Sequence, residues 1–405
     1  MNWKNKLIGK ALALAMVSAL AGAVPSAWAG AYEEYQSISR ILEEKPATAK
    51  EAVDRFEKRW EKGTQGERTM AAYLRLRVSL YLTDYKAGLA AAKKLLDLHP
   101  ERDQKTGLLK LCAQLSYQTE AWKDVLPYVT RWEETAGSAQ KAGEPYAEMA
   151  ALAAYALWQQ TETKASVPWM QKAFNASPKE ERGTFLLAAW QKLEDEKAQL
   201  AFLPTMVKLY GRPMYWAQWG YLTFEHGKPK KALDILSSAD KAGRLPPKLY
   251  PLLVDLEMKE GAASKAVSIL VNNPRLFEPM MYRNLLIAAY LKTGDREKAL
   301  DASLALLKSQ PREMTGQARR MSEDTAARLA FAEEKWALAY EKTAALAERD
   351  RKDAKKADFW RFMAGVAAYE EKDWAAARRM FSQVTDKKLE KGAKAWIEQI
   401  NFLAD

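Results

Sequence analysis

The sequence predicts an all-α fold, a solenoid of about ten antiparallel helix pairs. Ten helix-pair signatures recur along the chain at intervals of roughly 31 to 41 residues. Apolar residues return at three- and four-residue steps, and no run alternates with period two. Ala, Leu, Lys and Glu, all helix formers, dominate the composition.

A small residue in each second helix sets the expected register: Ala52, Gly88, Val125, Ser166, Ala201, Ala232, Ala266, Ala299, Ala339 and Ala377. A bulky side chain there would hold the two helices of a pair apart. Twelve residues earlier, on the first helix, stand Ala113, Ala154, Ala189, Gly220, Ala327 and Gly365 in six units. Small is therefore expected to oppose small across the hairpin. Gly227, Gly261 and Gly294 each lie five residues before the small position and supply the positive φ that ends a first helix. Elsewhere the turn is polar, as in Thr83-Asp84 and Glu371-Lys372-Asp373. Tyr85, Trp122, Trp336 and Trp374 open second helices, and Pro100, Pro178, Pro213 and Pro311 close units.

This pattern resembles the tetratricopeptide repeat, best over 213–311 and in a last repeat at 358–384. The resemblance implies a right-handed superhelical solenoid. No long Pro/Gly/Ser linker interrupts the register, so residues 30–405 are expected to form a single solenoid.

The first residues read as a leader. Lys4, Lys6 and Lys10 precede an apolar stretch from Ala11 to Val24, and Ala27-Trp28-Ala29 offers small residues to a signal peptidase. Cleavage is expected after Ala29, giving a cleaved signal peptide at 1–29 and a periplasmic chain. The alternative, an uncleaved anchor, needs roughly 20 apolar residues, more than this stretch holds. The whole chain carries a net charge of +11. Without the three leader lysines about +8 remains, which suits an acidic protein face, an anionic envelope polymer or a membrane surface. A solvated helical surface with excess lysine is the plainer reading. Dispersed charge and the export signal disfavour nucleic acid.

Chemistry is poorly supported. His99 and His226 lie in different repeats, each at a helix end, and no cysteine or histidine stands beside either at metal-ligand spacing. Cys112, the single cysteine, sits in an apolar helical run and reads as a small hydrophobe. There is no nucleophile elbow and no phosphate-binding glycine loop. The reading is a non-enzyme with no catalytic residue, no metal and no cofactor.

In such a solenoid a partner peptide would lie along side chains of successive first helices. Tyr221, Phe224, Asn284, Arg328, Phe362 and Tyr369 are the candidates for that groove. The competing reading is that the aromatic members pack neighbouring repeats. Export, degenerate repeats, the segment Arg212-Pro-Met-Tyr-Trp-Ala-Gln-Trp and the connection Gly243-Arg-Leu-Pro-Pro together resemble periplasmic repeat proteins found with TonB-ExbB-ExbD systems. That resemblance implies an adaptor for a protein partner in TonB-dependent transport. A scaffold for envelope polysaccharide export or cell-wall organisation is the alternative. The sequence leaves the oligomeric state open.

Overall fold

The computed structural model describes residues 29–404, apart from His99, Gln310, Arg312 and Glu313. The leader and most of its expected cleavage motif, and the helix-end role of His99, lie outside the described residues. Among the described residues there are twenty-one α-helices and no strand.

The chain divides into two compact units, up to Met206 and from Val207. In the first, α1 (Ala29–Glu44) pairs with α2 (Pro46–Arg59), α3 (Gln65–Tyr81) with α4 (Tyr85–Asp97), and α5 (Arg102–Gln118) with α6 (Trp122–Thr135). Two further pairs follow, α7 (Gly143–Gln159) with α8 (Thr163–Ala176) and α9 (Glu180–Lys192) with α10 (Glu196–Tyr210). The second unit pairs α11 (Pro213–Glu225) with α12 (Pro229–Lys241), α13 (Tyr250–Lys259) with α14 (Ala263–Asn272), and α15 (Pro279–Thr293) with α16 (Arg296–Ser309). Then come α17 (Gly316–Ala332) with α18 (Trp336–Arg349), α19 (Ala354–Glu370) with α20 (Trp374–Phe381), and a closing helix α21 (Lys387–Ala404). The ten expected pairs are present.

Nine of the ten hairpins turn in the same way. The residue that ends each first helix is left-handed: Thr83, Glu120, Thr161, Glu194, Gly227, Gly261, Gly294, Glu334 and Lys372, with φ from 54 to 83°. The next N–H donates to the carbonyl five residues back, as in Asp84 to Ser79 at 2.8 Å and Asp373 to Ala368 at 2.9 Å. This closure satisfies carbonyls that the helix end leaves open. Glycine adopts it freely, whereas the six other residues bear about 1–2 kcal/mol of left-handed strain each. Aspartates at the start of four second helices, Asp84, Asp195, Asp295 and Asp373, accept the N–H three residues on. Each such cap contributes about 1 kcal/mol. The first hairpin differs, since Lys45 alone links α1 to α2 and Pro46 opens the new helix.

These turns correct the expected register at two places. The buried residue that marks each second helix lies five after the left-handed residue. In α10 that is Gln199, which is buried, whereas Ala201 is exposed. In α2 it is Ala49, four residues past the cap at Lys45, while Ala52 is only half-buried. The corrected spacings from Ser166 through Gln199, Ala232 and Ala266 to Ala299 are 33, 33, 34 and 33 residues. The longer units carry first helices of 17 residues, α3, α5, α7, α17 and α19, against 13 in α9 and α11. An added helical turn, rather than an irregular insertion, supplies most of the extra length.

Packing across the hairpin corrects a second expectation. Glycine does not face the small marker. A Cβ on Gly220 would collide with Leu236, and one on Gly365 would lie 2.6 Å from the Phe381 ring. Both partners stand four residues after the marker. In the nine hairpins from α3 onward, the residue twelve before the marker and the residue four after it are both buried. Their sizes compensate: Leu76 with Ala92, Ala113 with Val129, Ala154 with Met170, Ile287 with Ser303, Gly365 with Phe381. Only Leu187 with Leu203 and Val254 with Leu270 are large on both sides. In the other seven hairpins at least one side is small, which lets the two helices approach closely.

Candidate functional site

A narrow slot opens between the first helices of two successive hairpins in the second unit. Its volume is about 270 Å³. Helix α15 contributes Met280, Asn284, Ile287, Ala288 and Leu291, and α17 contributes Ala318, Met321, Ser322 and Thr325. Leu306 of α16 and Met314 complete the lining. Helical periodicity places Asn284, Ala288 and Leu291 on one face of α15, and Ala318, Met321 and Thr325 on one face of α17.

The walls are apolar and open to solvent. Met321 is 64% exposed and Leu291 43%. Met281 on α15, and Met214 and Tyr221 on α11, are also large exposed hydrophobics on first helices of this unit. Unbranched methionine side chains can re-pack around different apolar groups, which suits a surface that grips a variable side chain. Asn284 is exposed on the α15 wall and brings an amide with both donor and acceptor capacity.

Arg328 lies three residues beyond Thr325 on the same helix and is exposed. Its guanidinium sits 5.0 Å from the Phe359 ring centroid and 5.1 Å from that of Trp360, both on α19. A cation over two aromatic faces is held in place without losing its charge.

The structure thus places Asn284 in the slot, whereas Arg328 is not part of its lining and its guanidinium lies over Phe359 and Trp360 of α19. Tyr221, 48% exposed, lies on α11, another first helix of the unit. The other three candidates sit elsewhere. Tyr369 packs edge-on against Trp374 at 5.0 Å and Trp396 at 4.6 Å, and its hydroxyl accepts from Gln399. Phe362 meets Phe381 at 5.5 Å and lies against Gly392 of α21. Phe224 is partly buried against the core of the α11–α13 region. Tyr369 and Phe224 share one repeat position, eight before the marker. At the same position Tyr117 meets Trp122 and Phe331 meets Trp336, both edge-on. That recurring pair, an aromatic eight before the marker with one three before it, was the available sign of a hairpin-packing role. The slot methionines carried no such sign, because methionine fills cores just as readily.

Other groups offer little chemistry. Burial pushes the Cys112 thiol up to about 12, so it stays protonated and unreactive. His226 Nδ1 lies 2.9 Å from the Leu222 carbonyl at a helix end. Among the described residues no three His, Cys, Asp or Glu side chains are grouped to hold a metal, and no helix is long and apolar enough to cross a membrane. A shallow depression of about 440 Å³ at the start of α8 mixes Glu162 with Lys164 and Lys192, so its charges oppose one another.

Comparison with known proteins gives likeness without a family. No family model matches the chain, and no curated protein matches it. Among solved structures it is similar to a Naa15/Naa10 complex bound to HypK-THB, at 13% identity and a TM-score of 0.44. That alignment covers 82% of this chain and 51% of the other, so the chain spans about half the length of that relative. It is also similar to the TPR2AB domain of yeast Sti1 in complex with pHSP90, at 12% identity, 65% and 99% coverage and a TM-score of 0.37. A tetratricopeptide repeat protein from Parabacteroides merdae aligns at 11% identity, 64% and 98% coverage and a TM-score of 0.32. The all-α hairpin array stands on its own turns and packing, and the chain is similar to these helical-repeat structures.

Proposed function

We propose that this chain is a tetratricopeptide-like scaffold that binds a protein partner through first-helix side chains of its second unit. The observation that carries the reading is the methionine-walled slot between α15 and α17. A scaffold needs an exposed apolar anchor site beside polar groups that orient a backbone, and Met321, Leu291 and Asn284 meet that description. The leader supports a periplasmic setting, and the resemblance of the 212–219 and 243–247 segments supports an adaptor acting with a TonB-ExbB-ExbD system.

A photo-crosslinking residue at Met321 or Asn284, with Lys342 on the second helix α18 as control, tests the site in cells. The expected result is an adduct with an envelope protein at Met321 and Asn284 that the control lacks. Adducts of equal yield at all three positions would remove the groove assignment.

A second reading, a scaffold for an anionic envelope polymer, draws on the charge distribution. Residues 29–206 hold 25 Lys and Arg against 25 Asp and Glu, whereas residues 207–405 hold 35 against 27. The whole excess of +8 thus belongs to the second unit. Salt-sensitive co-sedimentation with peptidoglycan or acidic polysaccharide, unaffected by Met321→Glu, would favour this alternative.

A further inference from the structure

We propose that Met321 is an oxidation site: a hypohalous acid converts its thioether to the sulfoxide, and that change releases the side chain the slot holds while the fold stays intact. The proposal rests on the groove reading above and adds a chemical control to it.

Sulfur is unevenly placed in this chain. Among the described residues, Met70, Met149, Met170 and Met206 of the first unit are all buried, and so is Cys112. The second unit has three exposed methionines, Met321 at 64%, Met214 at 58% and Met281 at 43%, and each stands on a first helix. An oxidant in solution meets these three before it meets the core. A leucine at 321 would give a similar apolar wall but would have nothing to oxidise.

The chemistry needs no group beyond the thioether and the oxidant. The sulfur lone pair attacks the chlorine of hypochlorous acid, and hydroxide leaves. Water then adds to the chlorosulfonium sulfur as chloride departs, and two protons are released, one of which neutralises the hydroxide. One thioether and one hypochlorous acid thus give one sulfoxide, one chloride and one proton; sulfur loses two electrons and chlorine gains them. Sulfoxide reductases reverse the change, with two thiols joined as a disulfide and the oxygen leaving as water.

Met321 is set apart from Met214 and Met281 because it lines the slot. A sulfoxide oxygen is a strong hydrogen-bond acceptor. With no partner bound, water serves it, so oxidation costs the fold little at a side chain this exposed. An apolar partner group drives that water out, and the oxygen then needs a donor from the lining. Ser322 and Thr325 cannot supply one, because their hydroxyls already donate to the carbonyls of Ala318 and Met321, at 3.0 and 2.8 Å. The other lining side chains are apolar except that of Asn284, whose amide is the group placed to orient a bound backbone. Satisfying the sulfoxide takes that amide from the partner. Leaving it unsatisfied carries the desolvation penalty of a buried polar group. Either way the oxidised slot holds an apolar group less well.

The test oxidises the purified chain, carrying a photo-crosslinking residue at Leu291 in the slot, with a graded supply of hypochlorous acid. Peptide mass mapping reads the sulfoxide at each methionine, and circular dichroism reads the fold. Quenched samples are then illuminated with untreated envelope extract, so the partner itself is never oxidised. Met321 sulfoxide should form among the first products with the helical signal unchanged. Adduct yield should fall by about fivefold or more, in step with Met321 sulfoxide rather than with that at Met214 or Met281. Methionine sulfoxide reductases of both epimer specificities, with dithiothreitol, should restore it. A yield that holds steady when Met321 is fully oxidised, or that follows another methionine, overturns the proposal and leaves the groove reading standing. Oxidation of Met321 only after the buried methionines overturns it as well. No adduct from the unoxidised chain ends both.

Discussion

Gly365 lies against the ring of Phe381, so close that a methyl group on Gly365 would come within 2.6 Å of a ring carbon. Phe381 has no room to retreat, since it is buried and stacks on Trp396 with 3° between the planes. Gly365→Ala is expected to lower stability by about 1–3 kcal/mol through overpacking. The double variant Gly365→Ala/Phe381→Leu should recover part of that loss, because a smaller partner makes room for the methyl group. Chemical denaturation of the single and double variants checks this, and a double variant worse than the sum of its parts would contradict the pairing.

The left-handed turns make an opposite prediction. Lys372→Gly and Glu334→Gly remove strain at φ of 62° and 54°, at the cost of a more flexible unfolded chain. The net expectation is a gain of up to about 1 kcal/mol for each. Gly294→Ala, at φ of 83°, should cost about 1–2 kcal/mol. Thermal melts of these three variants rank the turns directly.

Acid sensitivity should centre on two carboxylates. Asp358 is fully buried and accepts from Arg361, from the Thr385 N–H and hydroxyl, and from the Asp386 N–H, at 2.7 to 2.9 Å. Burial raises its pKa, but these donors together hold it below the usual carboxylate range. Glu144 is held at about 2, chiefly by Arg182, with Lys179 and Ser177 adding to the effect. A depressed folded pKa means stability that is present above the unfolded pKa and lost as pH falls through the folded one. The stability lent by Glu144 should therefore fade between the unfolded value of 4.5 and about 2. Asp358→Asn should remove about 3 kcal/mol at pH 7 by leaving Arg361 and two backbone donors poorly matched. It should also flatten the acid limb of the stability curve. Denaturation at pH 3, 5 and 7 tests this, and an unchanged acid limb would count against Asp358 as its source.

The corrected register gives a simple contrast. Ala201→Lys sits on an exposed face and should change stability by no more than about 0.5 kcal/mol. Ala232→Lys places a charge at a fully buried marker and should unfold the second unit or cost more than about 3 kcal/mol. Near-equal melting curves for the two would return the register to its sequence-based form.

Much of the fold was legible in the chain because helical periodicity and turn glycines are local signals. Ala201 was misplaced because smallness was taken as the marker. The marker is a backbone position, and Gln199 occupies it without being small. The left-handed conformation of the six non-glycine turns was hidden for a related reason: the backbone hydrogen bond that closes each turn imposes it on Thr83 or Lys372, and no residue type announces it. The groove was half legible. Asn284 and Arg328 are polar at first-helix positions, which periodicity can place. Whether Met321 or Tyr369 faces outward depends on which neighbouring helix covers it, and that is a property of packing between distant segments.

The compensating sizes across most hairpins make the hairpin, rather than the helix, the smallest interchangeable part of this chain. Moving α19 onto the second helix of the α15 hairpin would set Gly365 opposite Ser303 and leave a void; the reverse graft would drive Ile287 into Phe381. Whole hairpins can be duplicated, deleted or shuffled with their internal volumes intact, whereas recombination inside a hairpin joins halves that no longer match. Crossovers that preserve folding should therefore fall in the connections between pairs, such as 243–249 and 273–278, and seldom in the turns within them.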